Sequence, residues 1–170
     1  GHIWDGKGDA TRFQLTEKDF AKAKKKKVSV VSTFARTALL TGSMDKSGRF
    51  ASDSAQVNAV RNLYKSHLKN CFEKGIPVAL GSDEWGKTSR IELNYLFQTG
   101  FATPAQMLNI QCTATPNVVF PNRKIGKIGE GYEASFLILE GDPTKNVLNI
   151  RRILMKFKDG QLLKSEEGHK

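Results

Sequence analysis

The chain has 170 residues, 39% hydrophobic and 26% charged, enough for an ordinary domain with a real core. Twenty-seven Lys and Arg against 17 Asp and Glu give a net charge of +10, which admits anionic partners. No apolar run reaches the ~18 residues of a membrane span, the opening Gly1–Gly6 has neither region of a signal peptide, and no CxxC or Cys/His cluster offers a structural zinc site.

Gly1-His2-Ile3-Trp4 reads as a strand end, followed by a Gly/Asp/Lys-rich loop through Arg12. Thr16 is placed to cap a helix running to about Lys27, with Glu17 and Asp19 in its first turn and Leu15, Phe20 and Ala23 facing inward. The Lys22–Lys27 run then falls at a helix end, where cations complement the dipole. A nucleic-acid groove would interleave aromatics with those lysines, and none is present. Val28–Thr33 is a β-branched strand, and residues 36–53 read as a long loop with turn signals at Gly42-Ser43, Asp45 and Ser47-Gly48.

The spacing of Val57, Val60, Tyr64, Leu68, Cys71 and Phe72 predicts a helix from about Ser54 to Lys74, closed by Gly75. His67 lies beside that stripe as a surface or core-edge histidine. Cys71 and Cys112 each sit in an apolar helical pattern and read as buried, reduced thiols. Strand 76–82 follows and ends in Gly81-Ser82-Asp83, a carboxylate at the carboxyl end of a strand, where ligands gather in parallel α/β folds. By itself it is as readily a helix cap.

Ser89 is placed to cap a helix ending at Gly100, and Thr103-Pro104 marks another helix start, with Met107, Leu108 and Ile110 as core. Beyond Pro121 the pattern changes to Gly-punctuated loop and short strands: 134–139, then Ile153 to Phe157, a hairpin turn at Asp159-Gly160, and 161–163. Residues 165–170 are expected to be a flexible tail. Alternating strands and helices predict a parallel α/β fold, but three parallel strands cannot close a (β/α)8 barrel, which takes roughly 250 residues.

Several segments carry a resemblance. Gly75–Asp83 with Glu92-Leu93 resembles the eighth strand and following helix of the metal-dependent amidohydrolase superfamily. Thr99–Leu108, Cys112–Thr115 and Ile125–Ala134 are similar to its later motifs in order and spacing, as are Asp142-Pro143 and Phe157–Gly160. The match is closest to the imidazolonepropionase-like and prolidase-like branch. Its Ala-Asp pair is Ala134-Ser135 here, a change expected to remove a turn hydrogen bond. Gly1-His2 and Val30–Thr33 look, more loosely, like strands six and seven.

The resemblance implies a C-terminal portion: part of a (β/α)8 TIM barrel (strands six to eight) over residues 1–121, strands of a composite β-sandwich over 122–164, and a tail over 165–170. It further implies hydrolysis of a C–N bond by a water activated on one or two divalent ions, most simply zinc. Asp83 would be the general base and a metal contact, and His2 a metal ligand. Glu84, Trp85, Arg36 and Thr37 would line the substrate rim. Two ligands do not complete a zinc site, so the chain alone is expected to be inactive, with the missing barrel strands or a second chain completing it. A small-molecule substrate, homo-oligomerisation, a cytoplasmic location and no membrane association are expected. A self-associating non-catalytic scaffold and a basic nucleic-acid-binding module are the other readings.

Overall fold

The computed structural model describes residues 8–46, 48–52, 54–83 and 88–163. The first expected strand and the tail lie outside the described residues. The chain divides into two compact units, Gly1–Thr103 and Pro104–Lys170.

The first unit is built on a short parallel pair, β1 (Val30–Ser32) and β2 (Val78–Leu80), in the register Val30↔Val78, Val31↔Ala79, Ser32↔Leu80. Both strands are shorter than the apolar runs that predict them. Helix α1 (Glu17–Lys25) opens with a full capping box: Thr16 accepts from the Asp19 amide, and the Asp19 carboxylate accepts from the Thr16 amide at 2.8 Å. It ends on Lys22, Lys24 and Lys25, as the dipole favours. Phe20 is its buried residue, whereas Leu15 precedes the cap and is exposed, against the expectation that it faces inward.

The expected loop over 36–53 holds a helix instead, α2 (Phe34–Leu40), followed by a turn closed by a bridge between Met44 and Phe50. Helix α3 (Ala55–Glu73) is the expected long helix. Ser54 caps it by accepting from the Val57 amide at 3.3 Å, and its Leu68 and Cys71 are buried. Helix α4 (Arg90–Thr99) ends on Gly100 in the left-handed region at φ 64°. Ser89 stands at its N-cap, but its side chain makes no capping bond.

In the second unit, α5 (Pro104–Asn109), a π turn (Ile110–Ala114) and α6 (Thr115–Val119) form one helical run. Pro104 takes the first helical position, as expected. Strands β3 (Phe136–Leu139), β4 (Ile153–Lys158) and β5 (Gln161–Leu163) make an antiparallel sheet in that order, with the β4–β5 hairpin turning at Asp159-Gly160. Among the described residues of this unit, Met107, Ile110 and Val147 are the buried apolar ones. Ser135 does not remove the turn bond it is expected to cost: its hydroxyl accepts from the Asp159 amide at 3.2 Å.

Among the described residues, no helix is long and apolar enough to cross a membrane.

Candidate active site

The candidate site forms where β1 and β2 end side by side. The Gly81 amide donates to the Ser32 carbonyl at 2.8 Å, extending the pairing one step past the strands. A Cβ on Gly81 would lie 2.9 Å from Val31 Cγ1 and 3.0 Å from Thr33 Cγ2, so any other residue would force those methyl groups to shift. Two residues on, Asp83 is exposed at φ 51°, in a region that non-glycine residues enter rarely and Asp and Asn most readily. Its carboxylate is therefore presented at the strand ends by an uncommon backbone turn.

Arg36 and Thr37 stand in the first half of α2, directly after β1, and both are half-buried. Parallel pairing brings their helix and the Asp83 turn to the same end of the strand pair. His2, Glu84 and Trp85 lie outside the described residues. Among the described residues, no group of three or more His, Cys, Asp or Glu side chains is arranged to hold a metal ion. Asp83 alone does not make up a zinc donor set, which takes about three protein ligands.

Glu92 carries a role that its sequence position does not announce. It lies in the first turn of α4 and is 1% exposed. Its Oε1 accepts from the Ser32 hydroxyl and, at 3.1 Å, from the Phe34 amide; its Oε2 accepts from the Ala35 amide at 2.7 Å. These amides are orphan donors of the α2 N-terminus, and Thr33, at the N-cap, makes no side-chain capping bond of its own. A carboxylate 57 residues away therefore starts the helix. Burial pushes the Glu92 carboxyl above its ordinary value, with the three donors pulling the other way.

Beside α2 lies a cavity of about 510 Å³ whose walls include Phe34, Thr37, Thr41, Arg61, Tyr64 and Tyr95. Arg61 is buried, donating to the Ser43 carbonyl at 2.8 Å and lying 3.7 Å over the Phe50 ring. Burial pushes the Tyr64 hydroxyl up to about 12, so it stays protonated at neutral pH. Among the described residues, Thr37 is the sequence-expected rim residue on this cavity. No sequence signal marked the cavity, because its walls come from three separated helices.

The fold is similar to that of solved amidohydrolase chains. An amidohydrolase crystal structure aligns over 91% of this chain with a TM-score of 0.63 and 18% identity, and a Xaa-Pro dipeptidase with bound methionine over 88% with a TM-score of 0.65 and 16% identity. In each case this chain covers 38% of the other. No family model matches the sequence.

More particularly, the chain is similar to the ochratoxinase of Aspergillus niger. The sequences are 31% identical over 90 residues, half of this chain and 19% of the relative. The crystal structure of that enzyme aligns over 88% of this chain and 35% of its own, with a TM-score of 0.66 and 23% identity. The chain thus spans a minor part of the relatives it matches. They are amidohydrolases, in agreement with the motif resemblance to the C-terminal portion of that superfamily.

Proposed function

We propose that this chain is the C-terminal portion of a metal-dependent amidohydrolase that cleaves a C–N bond, amide, cyclic amide or peptide-like, in a small-molecule substrate. The observation that carries the reading is Asp83, held in the left-handed region one turn past paired parallel strands. In this reading residues 1–121 belong to the (β/α)8 barrel and 122–164 to a composite β-sandwich. A divalent ion, zinc foremost, would be held by Asp83 and His2 together with donors from polypeptide outside this chain, and when bound it supplies an activated water. Asp83 would serve as general base, moving a proton from the attacking water to the departing nitrogen, a role that suits an exposed carboxylate. Arg36, Thr37, Glu84 and Trp85 line the rim and orient the substrate.

The test is turnover by the complete protein, with its accompanying polypeptide, on a panel of N-acyl amino acids, Xaa-Pro dipeptides and cyclic amides. Hydrolysis that stops on chelation and returns with zinc supports the reading; full hydrolysis in the chelated protein contradicts it.

A second reading draws on the three-stranded sheet, where Leu137, Leu154, Met155, Leu162 and Leu163 are exposed. Apolar surface of this kind favours association with further polypeptide. It suits the missing part of the enzyme or a homo-oligomer, and in the absence of both a self-associating scaffold.

A further inference from the structure

Glu92 is a buried carboxylate that the hydrolytic step does not use. A buried charge is a poor stabiliser compared with an apolar side chain of similar size, so its position asks for another explanation. Its three donors all come from the end of β1 and the start of α2: Ser32, Phe34 and Ala35. The Ser32 carbonyl in turn accepts from the Gly81 amide, two residues before Asp83. A side chain at Gly81 would crowd the Val31 and Thr33 methyl groups, so the close approach of the two strand ends depends on glycine there. A left-handed backbone at a non-glycine residue such as Asp83 persists where its surroundings over-determine it. Before Asp83 in the chain the Gly81–Ser32 bond ties β2 to β1, and after it comes α4, which carries Glu92.

We propose that Glu92 is a positioning residue for Asp83: by fastening the end of β1 and the first turn of α2 to α4, it fixes the strand ends from which Asp83 projects. Its catalytic consequence rests on the reading of Asp83 as the reacting group; its structural part does not. Loss of the fastening lets the Asp83 turn and the α2 residues Arg36 and Thr37 shift relative to each other. A misplacement of about 1 Å costs up to roughly a hundredfold in rate.

The experiment has two arms. In the 170-residue chain, the Asp83 amide and carboxyl NMR signals are compared among the native protein, Glu92→Gln, Ser32→Ala and Leu96→Ala. Leu96 is buried on the same helix and touches none of the three donors' bonds, so it reports plain destabilisation. The Asp83 signals are expected to move in Glu92→Gln and, less, in Ser32→Ala, and to stay in Leu96→Ala. In the complete hydrolase, Glu92→Gln is expected to lower kcat by about ten- to a hundredfold with KM within about twofold, while Leu96→Ala leaves kcat unchanged at temperatures where it is folded. Should Glu92→Gln fail to fold, Ser32→Ala carries both arms. Asp83 signals that ignore both junction variants, or that follow Leu96→Ala equally, overturn the proposal. Asp83 signals that respond while Asp83→Asn keeps full turnover overturn the hydrolytic reading and leave the positioning intact.

Discussion

The Tyr64 ring stacks on Phe34 with centroids 4.0 Å apart, while its hydroxyl, sealed from solvent, has no hydrogen-bond partner among the described residues. A buried, unsatisfied hydroxyl costs about 1–3 kcal/mol. Tyr64→Phe keeps the stack and removes that cost, so denaturant unfolding is expected to show a gain of about 1 kcal/mol. His67 gives a pH signature. Its Nε2 accepts from the Leu15 amide at 3.2 Å, a bond that only the neutral ring makes. Burial lowers its pKa below the ordinary 6.5. The folded chain then binds that proton less tightly than the unfolded chain, so the stability His67 supplies is present above about pH 6.5 and is lost as pH falls through the lowered native value. Thermal melts in that acid window are expected to lose stability in the native protein and to flatten in His67→Gln. Glu92 shows the opposite sign: its raised pKa makes the folded chain the tighter proton binder, so its contribution declines as pH rises from about 4.5 through the native value. Replacing it with Ala would strand the Phe34 and Ala35 amides, at a cost of about 3 kcal/mol.

At the level of elements, legibility follows the range of the interactions. Helix α3 was readable because its apolar stripe, the Ser54 cap and Gly75 all lie within it or at its ends. Helix α1 was readable for the same reason, through the Thr16–Asp19 box. Helix α2 was not, since the carboxylate that satisfies its first amides arrives from α4 and local signals around 36–53 speak only of turns. The π turn at Ile110–Ala114 was equally hidden. Against it lies Gly126, where a Cβ would sit 1.7 Å from the Cys112 carbonyl oxygen and the backbone is at φ 93°. The loop thus presses on the π turn through a position that excludes any side chain. Gly126→Ala is expected to destabilise the second unit by about 3 kcal/mol or more, read as loss of its amide signals. Gly131→Ala at φ 74°, where the nearest contact is the flexible Lys124 Nζ at 3.5 Å, is expected to do less.

For the molecule as a whole, the sequence motifs pointed to the same amidohydrolases that the chain proves similar to, and Asp83 was identified at a strand end before the strand pair was visible. What composition and periodicity did not convey was the junction behind Asp83, because it joins residues 32, 34, 35, 81 and 92 through one distant carboxylate, a hydroxyl and backbone groups whose pairing has no local sequence signature. The 170-residue chain by itself is expected to bind zinc substoichiometrically and to show no hydrolysis, as metal analysis and assay on the same sample would establish. The exposed apolar residues of the β3–β5 sheet are expected to drive concentration-dependent association of that isolated chain, seen by light scattering, and to be covered in the complete protein.

In the proposed function, Asp83 performs proton transfer at the reacting bond. Asn is nearly the same size and tolerates the left-handed backbone, so Asp83→Asn removes the base while leaving its turn in place. The direct measurement is kcat of that variant in the complete, zinc-loaded hydrolase at neutral pH. The account expects a fall of about a thousandfold or more with an unchanged melting temperature; turnover within about twofold of the native enzyme would contradict it.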